Sequence, residues 1–188
     1  MHAASGAGEW PQYRAAVPGD AEAVARLHAD SWRRHYRGAF SDAYLDADVL
    51  PDRYGVWRRR LDAPDARART YLAIDAGAPV GFVHLVLDAD PEWGALLDNI
   101  HVSVDHARRG IGSRLLALAA GAVVAERRGA GMHLWVLEQN LDAQAFYRAR
   151  GGTVAGSAPA PAPGGAPGRL CGTPIGLRVV WPDASRLL

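Results

Sequence analysis

Lysine is missing altogether: all 21 basic residues of the 188 are arginine. That excludes the Gly-x-x-x-x-Gly-Lys phosphate loop of the P-loop nucleotide enzymes. Cysteine is nearly missing. Cys171 stands alone, so no internal disulfide and no cysteine-based metal site can form, and no metal is expected. It sits beside Gly172 with no histidine near it in sequence, a poor setting for a nucleophile. Excess charge of one sign is also lacking. The formal net charge is +1, which gives no field to draw nucleic acid or an anionic membrane. Long apolar runs are absent, since no window approaches the ~18 consecutive apolar residues that span a bilayer. Residues 1–8 lack the basic patch and apolar stretch of a secretory signal, so a cytoplasmic location is expected.

What is present fits one soluble domain: 49% apolar and 22% charged residues in a chain long enough for a single substantial core. Residues 1–9 read as a disordered N-terminus and residues 10–188 as one domain. Residues 13–17 suit a strand closed by Pro18-Gly19, and Asp20 suits the N-cap of a helix that ends near Trp32. Residues 41–50 and 51–61 read as two short helices. Residues 70–75 and 80–87 are β-prone runs around Ala76-Gly77-Ala78-Pro79, and form a hairpin. Residues 96–104 are another strand.

Residues 111–128 give the strongest helix, with Arg127 and Arg128 at its negative end and Gly129 as its stop. A strand at 133–137, a helix at 140–150, short strands at 153–155 and 175–181, and a Gly/Ala/Pro/Ser stretch at 156–169 complete the chain. The last composition buries little apolar surface and reads as a mobile loop. The element order predicts an α+β fold with a mixed sheet flanked by helices.

Two segments carry the chemistry. The first runs from Ile100-His101-Val102-Ser103-Val104 through Ala107-Arg108-Arg109-Gly110-Ile111-Gly112-Ser113 into the long helix. A helix start offers four amide hydrogens without intrahelical partners at the positive end of the dipole. Glycines at 110 and 112 let backbone approach an anion closely. Gly-x-Gly alone is weak, since an ordinary turn reads the same way. A dinucleotide fold would need a third glycine and an acidic residue about 20 positions on, and neither is there. The second segment is Leu134-Trp135-Val136-Leu137-Glu138-Gln139-Asn140, followed by Ala143, Phe146, Tyr147 and Gly151.

Together these segments resemble the GCN5-related N-acetyltransferase (GNAT) superfamily. Its pyrophosphate loop reads Arg/Gln-x-x-Gly-x-Gly/Ala, and its following helix carries Asn-x-x-Ala-x-x-x-Tyr. The opening Asp30-Ser31-Trp32…Tyr36-Arg37-Gly38 and Tyr44-Leu45 look like many bacterial members. The resemblance covers residues 13–181 and implies a twisted mixed sheet of about seven strands. It implies acetyl transfer from acetyl-CoA to a primary amine, most simply a small-molecule amine. Two departures stand out: Ala107 occupies the loop's usual Arg/Gln position, and Gly151-Gly152 replaces the usual Gly-Phe.

The resemblance also implies roles. The fourth and fifth strands would splay to admit the cofactor's pantetheine arm. Backbone of Ile100, His101, Val102 and Val104 would pair with the arm. Arg108, Arg109, Gly110, Ile111, Gly112 and Ser113 would hold the pyrophosphate, and Asn140 would contact the cofactor or cap its helix. Tyr147 would protonate the leaving thiolate, a phenol near pKa 10 being protonated at neutral pH; its bland alternative is core packing. Asp98 is the candidate general base, on a face shared with Leu96, Ile100 and Val102, with Glu138 as second choice. Trp32, Tyr36 and His84 are candidate acceptor-site residues, equally readable as core. A catalytically idle acyl-CoA-binding sensor, or a protein N-terminal or lysine acetyltransferase, stays open as an alternative. A homodimer is left open too, since members often pair through late strands.

Overall fold

The computed structural model describes residues 11–127 and 129–188; the expected disordered segment 1–9 and Arg128 lie outside them. Seven strands form one mixed sheet in the order β1-β2-β3-β4-β5-β7-β6. They are β1 (Gln12–Ala15), β2 (Ala68–Asp75), β3 (Ala78–Asp90), β4 (Gly94–Val102), β5 (Met132–Leu137), β6 (Thr153–Pro159) and β7 (Ile175–Trp181). Helices α1 (Ala21–His35) and α2 (Val49–Asp62) cover one face, and α3 (Ile111–Glu126) and α4 (Leu141–Arg148) the other. The expected α+β architecture is the one found.

The hairpin β2-β3 turns on Ala76 and Gly77, both at positive φ (48° and 80°). That geometry gives the twist a two-residue hairpin needs. Strand β3 is buried from Val80 to Leu85, as befits a central strand covered on both faces. The α3 side holds the larger core, from Ala73, Val83 and Leu85 to Leu115, Ala119, Leu134 and Trp181. The α1/α2 side packs Val24, Ala25, Trp57 and Leu61 on Leu72 and Phe82.

Four local readings are corrected. Asp20 holds the N-cap position of α1, but its side chain does not cap the helix. Its carboxylate turns back to accept from the Val17 amide at 2.8 Å and from both terminal nitrogens of Arg14 at 2.7 and 2.8 Å. The Arg14 guanidinium holds this carboxyl below its usual range. The two short helices are one continuous helical run from 42 to 62, with a wide π turn at Tyr44–Asp48. Pro51 marks no boundary, because the wide turn absorbs the hydrogen bond its ring nitrogen cannot donate. Strand β4 stops at Val102, and Val104 lies in a single 3-10 turn.

The Gly/Ala/Pro stretch is not a plain loop from its start. Residues through Pro159 extend β6, which pairs with β7 from Thr153↔Val180 to Pro159↔Ile175. Beyond it Pro163 is buried, and backbone bonds from Ala160 to Pro174, Ser41 to Arg169 and Cys171 to Ala39 tie the segment to its surroundings. Small residues with little apolar surface can still form an edge strand when a neighbour supplies the ladder.

The missing aromatic at Gly152 also has an explanation. A Cβ there would lie 2.7 Å from Val179 Cγ1 and 2.8 Å from the Trp181 ring. Trp181, fully buried and bonded through Nε1 to the Arg150 carbonyl at 2.9 Å, fills that space. Gly152→Ala should therefore destabilise the fold by about 1–3 kcal/mol through overpacking, read as a lower urea midpoint. An unchanged midpoint would contradict this packing.

Candidate active site

Strands β4 and β5 run parallel but pair only at Ala95↔Met132 and Leu96↔His133. Beyond that point they part, and the β5-facing edge of β4 is left without a neighbouring strand. The gap is a cleft of about 240 Å³ lined by residues 97–102 of β4 and 134–136 of β5. Ser31, His35 and Tyr36 of the α1 end close one side, and Gly112, Asn140, Ala143, Phe146 and Tyr147 close the other. An open strand edge offers amides and carbonyls to an extended, amide-bearing ligand, which can pair with it as a strand would.

At the α3 end the backbone is arranged for an anion. Arg108 and Gly110 have φ of 62° and 78°, while Arg109 between them does not share the positive sign. Such alternation converges successive amides into a concave nest, and a left-handed Arg108 is a strained state of the kind found at ligand sites. Gly110 is the N-cap of α3, and no acidic residue occupies its first turn. Arg108, Arg109 and Arg114 are exposed there, and none has a carboxylate partner among the described residues. Gly112 is needed for another reason: a Cβ would lie 3.3 Å from the Phe146 ring of α4. The bare glycine lets α4 press against the start of α3.

Asn140 is the N-cap of α4, its Oδ1 accepting from the Ala143 amide at 3.2 Å, and it lines the cleft as well. About two turns later Tyr147 reaches the cleft from a buried position, edge-on to Trp181 with centroids 6.0 Å apart. Burial, with Tyr36 nearby, pushes its hydroxyl well above the usual phenol range. Tyr36 is raised to about 12, by burial first and then by the Asp98 charge. Both phenols therefore stay protonated at neutral pH and can donate.

The acceptor side differs from the alternation read in the sequence. His84 pairs with Asn99 but Leu85 with Leu97, so Asp98 is the extra residue of a β-bulge. The bulge shifts the phase of β4. Ile100 and Val102 then join Leu97 on the α3 core. Asp98 and His101 both face the α1/α2 side: Asp98 bonds Arg60 at 2.8 Å, and His101 Nδ1 lies 2.7 Å from Ser31 Oγ. The expected grouping of Asp98 with Ile100 and Val102 is therefore overturned. Asp98 lines the cleft, but with its carboxylate held by Arg60, itself stacked on Trp57 at 5.1 Å. Beneath lies a cluster of neutral histidines. His28 accepts from Trp57 Nε1 at 3.0 Å and is 4.9 Å from the His101 ring. His84 Nδ1 lies 2.8 Å from Thr70 Oγ1. Burial lowers all three, His84 to about 4 and His101 to about 3.

The cleft thus gathers Asp98, Ile100, His101, Val102, Gly112, Asn140, Tyr147 and Tyr36. It does not gather Trp32, which packs between His28 and Phe40 under the Arg53 guanidinium. Nor does it gather His84, buried against Trp57, or Glu138, exposed at the end of β5. Arg108, Arg109, Gly110 and Ser113 form the rim at α3, whereas the Ile111 side chain is in the core and only its amide faces the loop side. Val104 is corrected: in its 3-10 turn it cannot continue the strand edge. Sequence reading missed Ser31, His35, Asn99 and Asp142 as cleft residues, and Arg60 as the partner of Asp98. Among the described residues no helix is long and apolar enough to cross a membrane. No group of three or more His, Cys, Asp or Glu among them is placed to hold a metal.

A sheet opened between two parallel strands, with an amide nest at a helix start and a buried phenol at the opening, defines a transferase built around an extended acyl thioester. The chain belongs to the acetyltransferase (GNAT) family, whose model matches residues 24–151, and it is an acetyl-CoA-dependent N-acetyltransferase. It is 30% identical over 163 residues to streptothricin acetyltransferase of Streptomyces lavendulae, covering 74% of this chain and 78% of that one. Among solved structures, the PaiA N-acetyltransferase of Thermoplasma acidophilum, in complex with coenzyme A, superposes with TM-score 0.66 at 18% identity over 89% of this chain and 96% of that one. Nourseothricin acetyltransferase gives TM-score 0.62 at 24% identity over 92% and 98%. At these identities the two structures speak for the fold.

Proposed function

We propose that the enzyme transfers the acetyl group to a primary amine of a small, cationic molecule by direct attack within a ternary complex. The carrying observation is the β4/β5 cleft, which has Tyr147 and Asn140 on one wall and Tyr36, Asp98 and His35 on the other. Acetyl-CoA would supply the activated acetyl group, its phosphates on the amides of residues 109–113 and its pantetheine arm on the open edge of β4. The amine nitrogen bonds to the thioester carbonyl carbon, the C–S bond breaks, and Tyr147 delivers a proton to sulfur. The amine's surplus proton leaves to water or to the Asp98 carboxylate. Asp98, which bonds Arg60 at 2.8 Å, is the acidic group a cationic acceptor would meet in the cleft. Likeness to streptothricin acetyltransferase supports a small-molecule acceptor.

A free-thiol release assay across polyamines, amino acids, aminated antibiotics including streptothricin, and peptides tests this reading. Turnover is expected on a small polyamino compound, with kcat/KM at least about tenfold above any peptide, the discrimination of roughly one good contact. Turnover confined to peptide N-termini or lysines would overturn the small-molecule assignment.

A further inference from the structure

Arg150, just past α4, is unaccounted for by the site as described. Its Nε and Nη2 both bond to Ser113 Oγ, the Nε at 3.1 Å, and its Nη1 bonds to the Phe146 carbonyl at 3.1 Å. Its guanidinium carbon lies 3.9 Å over the Phe146 ring, the ring that presses on Gly112. Half-buried, it is thus fixed against the first turn of α3, the positive end of that dipole, where a cation is disfavoured. Arg108, Arg109 and Arg114 crowd the same helix start. Among the described residues no carboxylate pairs with any of the four. Four guanidiniums, the nest at residues 108–110 and a helix N-terminus form a positive cluster that the protein leaves uncompensated. A ligand carrying several phosphate charges completes it.

We propose that Arg150 is a phosphate ligand of acetyl-CoA, reaching from α4 to do what a side chain at Ala107 cannot. This rests on the reading that the cofactor's phosphates occupy the start of α3. Ser113 takes the Nε and Nη2 side of the guanidinium and the Phe146 carbonyl takes one Nη1 hydrogen, which leaves one hydrogen on each terminal nitrogen for an anion at the helix start. A planar, bidentate donor suits phosphate oxygens. Because it touches the cofactor far from the reacting carbonyl, Arg150 governs binding of the donor and not the chemical step.

The experiment compares wild type, Arg150→Leu and Arg150→Lys with acetyl-CoA, its analogue lacking the 3′-phosphate, and S-acetylpantetheine, which has no phosphate. Arg150→Leu is expected to raise KM for acetyl-CoA about 10- to 100-fold, the scale of one charge-assisted contact. It should leave kcat unchanged and leave kcat/KM for S-acetylpantetheine unchanged. Arg150→Lys, which keeps the charge without the fork, should fall between. If the loss persists with the analogue lacking the 3′-phosphate, the contact is to the pyrophosphate; if it disappears, the contact is to the 3′-phosphate, and either result supports the assignment. An equal loss with S-acetylpantetheine, or a fall in kcat, would show a structural role and overturn it. If wild type itself prefers acetyl-CoA no better than S-acetylpantetheine, the reading of the α3 start as the phosphate site fails, and this proposal with it. If wild type prefers acetyl-CoA and Arg150→Leu matches it, only the Arg150 proposal fails.

Discussion

Tyr147→Phe should lower kcat by about 100-fold or more, the usual contribution of a positioned general acid, while KM for acetyl-CoA changes little. The hydroxyl is the group lost. The ring keeps its edge-on contact with Trp181 and its place in the α3 core, so the fold should hold. A phenol suits the task because burial keeps it protonated across the working range, and because it need only donate as charge builds on sulfur. In the variant the leaving thiolate must find its proton from water in a half-enclosed cleft. The check is steady-state kinetics with the best acceptor, together with thermal unfolding to confirm the fold. Retention of full kcat would remove Tyr147 from the chemistry and leave it as core.

The second large effect is on stability, and it follows from the buried histidines. His28, His84, His101 and His133 are all held below the usual histidine range, chiefly by burial. Their folded pKa values are depressed, so above about pH 6.5 they are neutral in both states and contribute no pH dependence. As pH falls below 6.5 the unfolded chain takes up protons that the folded chain refuses, and stability drops with each. His84, near 4, and His101, near 3, should each cost about 2 kcal/mol by pH 5. Asp20, whose lowered pKa stabilises the fold above the usual carboxylate range, adds its loss only at still lower pH. The urea midpoint should therefore decline steeply between pH 6.5 and pH 5, and His84→Gln should flatten part of that slope. A midpoint constant from pH 7.5 to pH 5 would contradict the buried neutral cluster.

Much of the fold was legible because its signals are local. Ala76-Gly77 between β-prone runs gives the hairpin, Gly110 opens α3, and Asn140 caps α4; α3 itself stops at Glu126, where Arg127 is already extended, ahead of Gly129. What escaped depends on neighbours. Nothing within residues 156–159 says strand; β7 supplies the ladder. Pro51 looks like a helix boundary until the preceding π turn removes the conflict. The bulge at Asp98 left one trace, Leu96-Leu97 followed by Asp98-Asn99, a break in the alternation of a half-buried strand. Reading through that break put Asp98 on the wrong face.

The site divides in the same way. On the proposed reading its donor half is written in contiguous residues, from Arg108 to Ser113 and from Asn140 to Tyr147. The proposed acceptor half is assembled from Ser31, Tyr36, Arg60 and Asp98, which only tertiary packing brings together. Trp32 and His84 offered suitable chemistry for an acceptor site, but His84 is buried and Trp32 packs half-buried among His28, Phe40 and Tyr44 outside the cleft.

The most direct test of the account is a crystal structure of the enzyme with coenzyme A. The pyrophosphate should lie on the amides of residues 109–113, the pantetheine arm along residues 100–102 of β4, and the thiol within hydrogen-bonding reach of the Tyr147 hydroxyl. Coenzyme A bound outside the β4/β5 cleft, or with its thiol directed away from Tyr147, would contradict it.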